Sequence, residues 1–169
     1  TAYLKAHFPA EFMASLMTAE GFEIERVAFL VDEARSMGIS ILPPSVNASK
    51  VTFTVVSHPS GEARAGTTGA ARPEIRFGLG SVKNVGTNVV EAVIRARENG
   101  GPFSSVEDFI EQVQHRDLNK KSLESLIKCG AMDEREERSR LLANLDMILE
   151  YARERERESR SGQVSLFAG

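Results

Sequence analysis

The sequence predicts a mainly α fold with a small β element, and three observations predict it. Apolar residues recur at three- and four-residue spacing through the opening stretch and again from about residue 78 to 152, as helices with one buried face require. Between Ile39 and Phe77 the period changes to the alternation of strands. Gly, Pro and Asn interrupt both patterns often enough that each element must be short.

The chain has 169 residues, enough for one good core or two small ones, with 41% hydrophobic and 27% charged residues. No run approaches the length of a membrane span, and no basic, then apolar, leader opens the chain, so we expect a cytoplasmic protein that is not bound to membrane. The single Cys129 excludes an internal disulfide. With only His7, His58 and His115 besides, no metal-ligand spacing is present. A net charge of −3 excludes a globally basic nucleic-acid binder, so contact with DNA would have to be local. Residues 76–128 carry 8 basic and 7 acidic side chains, barely positive, which suits weak backbone-directed binding.

Taken in order, TAYLKAHF reads as the tail of a helix begun before Thr1, so a fragment of a longer chain is expected. Pro9 opens a helix with Phe12, Met13, Leu16 and Met17 on one face and Gly21 as its stop. A second, from about Glu23, is expected to turn Ile24, Val27, Ala28, Val31 and Ala34 inward and to end at Gly38. Met13, Met17 and Met37 read as core filler rather than a ligand set. Ile39, Ile41 and Leu42 make a short strand closed by Pro43-Pro44, and Val51, Phe53 and Val55 alternate with threonines as a second. Residues 58–73 have the small, Gly-rich content of a mobile loop without a GxGxxG or GxxxxGK pattern, and Ile75 and Phe77 form a third strand.

From Phe77 to Arg97 the sequence reads as two short helices, Leu79 and Val82 on one and Val89, Val90, Val93 and Ile94 on the other, joined at Asn84-Val85-Gly86. Asn84 and Gly86 accept positive φ at little cost, so the chain can reverse there with Val85 pointing back into the pair. The reversal aims the N–H groups of Gly86, Thr87 and Asn88 outward at a helix start, where hydrogen bonding and the helix dipole favour a phosphate. That is the design of a helix-hairpin-helix, although an ordinary corner between helices uses the same residues. Asn99-Gly100-Gly101-Pro102 then stops the chain, and Ser104 or Ser105 caps a connecting helix with Val106, Phe109, Ile110 and Val113 inward. A second amphipathic helix, capped by Asn119 with Lys120, Lys121 and Lys128 on its wet side, stops at Cys129-Gly130-Ala131. A third apolar stripe, Leu141, Leu142, Leu145, Ile148 and Leu149, completes a tandem arrangement. The last helix runs from about Arg138 into a charged extension ended by Ser161-Gly162. Beyond it, Leu166 and Phe167 have no core left to join and call for a partner.

The run AYLKAHFPAEFMASLM, the segment EARSMGISILPPSVNAS, the block IRFGLGSVKNVG with GGPFSSVEDF, and LNKKSLESLIKCGAMD together resemble the alpha subunit of the bacterial replicative polymerase, DNA polymerase III, over nearly the whole chain. The resemblance implies the end of the fingers domain at 1–38, a β element at 39–77, a tandem helix-hairpin-helix at 78–152 and a charged linker with a clamp-binding tail at 153–169. It implies contact with duplex DNA backbone at Lys83, Asn84, Val85, Gly86, Thr87, Asn88, Lys120, Lys121 and Gly130. It implies binding of the sliding clamp, the beta subunit, by Gln163, Val164, Ser165, Leu166 and Phe167, with the rest of the polymerase III holoenzyme as further partner. The family's catalytic aspartates, which hold Mg²⁺ for DNA-directed nucleotidyl transfer, belong to a palm domain that would precede Thr1, so no catalytic residue and no cofactor are expected here. A structural packing module with no direct DNA contact is the alternative.

Overall fold

The computed structural model describes residues 1–21, 23–56, 73–113, 118–134 and 136–165, with side chains described as far as residue 159. The element order is α1 (Ala2–His7), α2 (Pro9–Ala19), α3 (Ile24–Ser36), β1 (Ser40–Leu42), β2 (Thr54–Val56), β3 (Glu74–Arg76), a 3₁₀ turn (Leu79–Ser81), α4 (Thr87–Gly100), α5 (Val106–Gln112), α6 (Lys120–Lys128), α7 (Arg138–Ala143) and α8 (Leu145–Ser165). The mainly α class with a small β element is the one the periodicities predicted. The chain divides into two compact units, residues 1–44 with 48–81, and residues 45–47 with 82–169.

In the first unit, α2 begins at Pro9, whose fixed φ suits the first helical position. It buries Ala10, Met13, Ala14 and Met17. Of the face expected for α3, Val27 and Ala34 are buried and Val31 is half-buried against the core, whereas Ile24 and Ala28 lie outward and Leu30 is buried instead. The sequence offered two overlapping apolar stripes; packing on α2 selects the one through Leu30. The three strands form a sheet of order β1-β3-β2, with β3 parallel to β1 (Ile41 opposite Ile75) and antiparallel to β2 (Val55 opposite Ile75). Ile39, Phe53 and Ile75 join Met13, Met17 and Ala34 in one core, and the methionines fill it as expected. The second strand begins later than the alternation suggested. Val51 is exposed and only Phe53 of that early stretch is buried. The loop expected at 58–73 lies outside the described residues except for Pro73, whose carbonyl accepts from the Ser40 N–H at 3.1 Å.

The first helix predicted after Phe77 is not an α-helix but the single 3₁₀ turn Leu79–Ser81. Its leading amides are bound from outside the turn: Leu79 N–H bonds to the Lys50 carbonyl and Gly80 N–H to that of Val51, each at 2.9 Å. A Cβ at Gly78 would stand 2.5 Å from the Val51 carbonyl oxygen, so this backbone approach needs glycine.

In the second unit α4 buries Val89, Val90 and Val93. Between the expected caps, Ser105 is the one used, its hydroxyl accepting from the Asp108 N–H at 3.1 Å. The Asn119 cap of α6 is a full capping box: its Oδ1 accepts from Lys121 and Ser122 N–H at 3.0 and 3.1 Å, while Ser122 Oγ accepts from the Asn119 N–H. The predicted last helix is two, α7 and α8, broken at Asn144, whose side-chain amide turns back to the Arg140 carbonyl (2.9 Å). It also runs through Ser161-Gly162 to Ser165 instead of stopping there. Residues 45–47 are a strap across this unit. Val46 N–H bonds to the Ala131 carbonyl (2.9 Å), the Val46 carbonyl accepts from Arg97 (2.9 Å), and Asn47 brackets Phe103 by donating to its carbonyl (3.1 Å) and accepting from its N–H (2.8 Å). Among the described residues no helix is long and apolar enough to cross a membrane.

Candidate nucleic-acid interface

The turn at 83–88 is built around Asn84, whose φ of 64° makes it the only non-glycine among the described residues in the left-handed region. Asparagine enters that region more readily than other side chains. The expected positive φ at Gly86 is absent: Gly86 is extended (φ −70°, ψ 153°) and serves as the N-cap of α4, so one left-handed residue suffices for the reversal. Val85 points inward and is buried, with its N–H on the Val82 carbonyl (3.3 Å). Lys83, Asn84, Gly86, Thr87 and Asn88 are all exposed.

What this places at the surface is a helix start without a side-chain cap. The carbonyl of Gly86 takes the N–H groups of Val89 and Val90, while those of Gly86, Thr87 and Asn88 have no hydrogen-bond partner among the described residues. α5 and α6, by contrast, close their first turns with Ser105 and Asn119. The open amides of a 14-residue helix, with its dipole behind them, offer an anion what water otherwise supplies. A Cβ added at Gly86 would meet nothing within 4 Å, so the approach to these amides is clear.

The α6 residues arrive at the same place. Asn84 Nδ2 donates to Ser125 Oγ at 3.2 Å, and Ser125 lies one turn from both Lys121 and Lys128 on the wet side of α6. Lys83 and Lys121 are exposed and have no ion-pair partner among the described residues. Lys128 pairs with Glu124 at i,i+4, and that hydrogen bond holds the Glu124 carboxyl below the usual carboxylate range. Lys120 leans the other way, onto Asp146 of α8. Of the predicted set, Lys83 to Asn88 and Lys121 thus form one neighbourhood and Lys120 does not join it. Ser125 was missed, because its bond to Asn84 joins residues forty-one positions apart.

The second turn differs in kind. Gly130 (φ 85°) is buried, its N–H on the Ile127 carbonyl and that of Ala131 on the Leu126 carbonyl, each 3.0 Å. This is a Schellman closure of the α6 C-terminus. A Cβ at Gly130 would stand 2.7 Å from Arg138 Nη2 and 2.9 Å from Asp133 Oδ2, which pair across it. Burial pushes the neighbouring Cys129 thiol up, which leaves it a weak nucleophile. No group of three or more His, Cys, Asp or Glu comes together among the described residues.

Of the tail, Leu166 and Phe167 lie outside the described residues, and Gln163, Val164 and Ser165 form the last turn of α8. That helix is fixed where it leaves the body. Tyr151 donates to Glu111 of α5, and Arg155 pairs with Glu111 at 3.1 Å with its guanidinium 5.3 Å over the Tyr151 ring. From Arg153 to Ser159 every side chain is exposed.

Residues 38–141 match a family model described as helix-hairpin-helix motif. Over 168 residues, 99% of its length, the chain is 45% identical to DNA polymerase III subunit alpha of Thermus aquaticus, and 36% identical over the same share to that of Chlamydia pneumoniae. With that of Helicobacter pylori (strain J99 / ATCC 700824) it shares 39% identity over 170 residues. The chain spans 12–14% of the length of these relatives.

Proposed function

Because the chain belongs to the helix-hairpin-helix family, in the segment it shares with DNA polymerase III alpha subunits, we propose that it is a non-catalytic region of such a subunit that contacts the backbone of duplex DNA and tethers the polymerase to its sliding clamp. The observation that carries the DNA half is the turn at Asn84 to Asn88, with three amides that have no partner among the described residues, Lys83 next to it in the chain, and a bond from Asn84 to Ser125, one helical turn from Lys121. Such a surface meets phosphate and reads no base, so binding is indifferent to sequence and steep in salt. The clamp half is supported by the sequence Gln163 to Phe167, which follows a helix whose side chains are exposed from Arg153 to Ser159; the thirteen helical residues from Arg153 to Ser165 extend about 20 Å at 1.5 Å each. Both activities belong to the cytoplasmic replication machinery, with the rest of the holoenzyme as partner.

The packing-module alternative keeps one observation, the use of Lys120 and Lys128 in ion pairs within the unit. Titrating labelled duplexes of unrelated sequence with this chain from 50 to 200 mM salt, ~ranges over which a few phosphate contacts change affinity strongly, tests the two. Equal affinity for each sequence, falling with salt, supports DNA contact; no binding at the lowest salt leaves the packing module.

A further inference from the structure

Two observations in the second unit meet at one hydrogen bond. The left-handed Asn84 sets the turn whose amides are open, and its side chain reaches forty-one positions along the chain to Ser125 on α6. Ser125 is flanked on its face by Lys121 and Lys128, one turn to either side. That bond is a direct side-chain link between residues 83–88 and α6. The bond is exposed, and α6 is held independently by its capping box and by Leu123, Leu126 and Ile127, all buried. Its loss therefore leaves both elements folded and changes only their relation.

We propose that Ser125 is a positioning residue for phosphate contact: by holding the Asn84 amide it sets the open turn and the α6 lysines as one surface, so that the two hairpins engage a DNA backbone together. This rests on the DNA reading given above. Two contact points in fixed relation act with high effective concentration on each other, whereas two that move separately do not. Breaking the bond lowers affinity by about three- to tenfold, the range for one hydrogen bond of ordinary strength. It also flattens the salt dependence by about one phosphate.

The experiment titrates labelled duplex with the chain and with Ser125→Ala, Ser125→Thr, Asn84→Gly and the double variant Asn84→Gly/Ser125→Ala, each across a salt series and each with a thermal melt. Glycine keeps the left-handed conformation and removes only the amide. Expected are equal losses in the two single variants with no further loss in the double, a lower salt slope in all three, recovery with threonine, and unchanged melting. Wild-type binding matched by Ser125→Ala in affinity and slope overturns this inference and leaves the DNA reading standing, as does full additivity of the two losses. Absence of duplex binding by the wild type overturns both.

Discussion

Replacing Gly86 by valine separates DNA contact from fold. Gly86 caps α4 in extended conformation, and a Cβ there meets nothing within 4 Å, so a β-branched side chain fits without strain. Valine is a poorer N-cap than glycine, a cost of roughly 0.5–1 kcal/mol. Removing glycine from the unfolded chain returns roughly 0.4–1 kcal/mol. The two nearly cancel, and at about 2–4 °C per kcal/mol the melting temperature should move by no more than about 2 °C. The valine carbons, however, occupy open space beside this turn, where they should obstruct a phosphate approaching its amides. Losing one contact reduces the salt slope by about 0.9, which at 0.15 M salt is about fivefold in affinity from counterion release alone. The hydrogen bonds to a charged acceptor add to that. Fluorescence anisotropy of a labelled duplex, with circular dichroism on the same samples, reads both quantities. A valine variant that melts and binds like the wild type would refute the assignment of these amides to phosphate.

The remaining expectations concern the strap, the tail and the chemistry. Asn47→Ala leaves the N–H and carbonyl of Phe103, a residue 1% exposed, without the partners Asn47 gave them; at about 1–3 kcal/mol for each orphaned group the melting temperature should fall by roughly 4–24 °C, and an unchanged midpoint would mean that the bracket contributes nothing. Leu166→Ala with Phe167→Ala should abolish binding to the sliding clamp in surface plasmon resonance without shifting the melt. Burying both side chains is worth about 3–6 kcal/mol before the cost of ordering the tail. A lowered melt with clamp binding retained would instead place them in a core. The chain alone should extend no primer with Mg²⁺ and nucleotides, and any incorporation by pure protein would overturn the reading of a non-catalytic region.

How far the sequence carried depended on the distance over which each feature is determined. The Asn119 cap, the Gly130 stop and the Pro9 start rest on residues within a few positions of one another, and all were legible. The open turn was legible in outline through Asn84, although Gly86 gave a false second left-handed position because glycine permits that conformation without requiring it. Where an α-helix was expected at Leu79 the chain makes a 3₁₀ turn, and the pairing of its leading amides with Lys50 and Val51 is a distant fact with no local sign. The same holds for Ile24, whose apolar stripe was as good on paper as that of Leu30 until α2 selected between them. At the candidate site, Lys83 to Asn88 could be read locally, whereas the joining of Asn84 to Ser125 is a tertiary fact with no local sign.

The strap has one more consequence, for how this piece of protein can be divided. The polypeptide leaves the first unit after Pro44, returns to it after Asn47, and leaves again after Ser81. A chain begun at Val82 would contain every helix of the hairpin unit and still be incomplete, with Arg97, Phe103 and Ala131 each missing a bond that residues 46 and 47 supply. No single cut frees the unit intact, and a block starting at its first helix would lack the bonds that the strap supplies. The family model begins at residue 38, upstream of the strap.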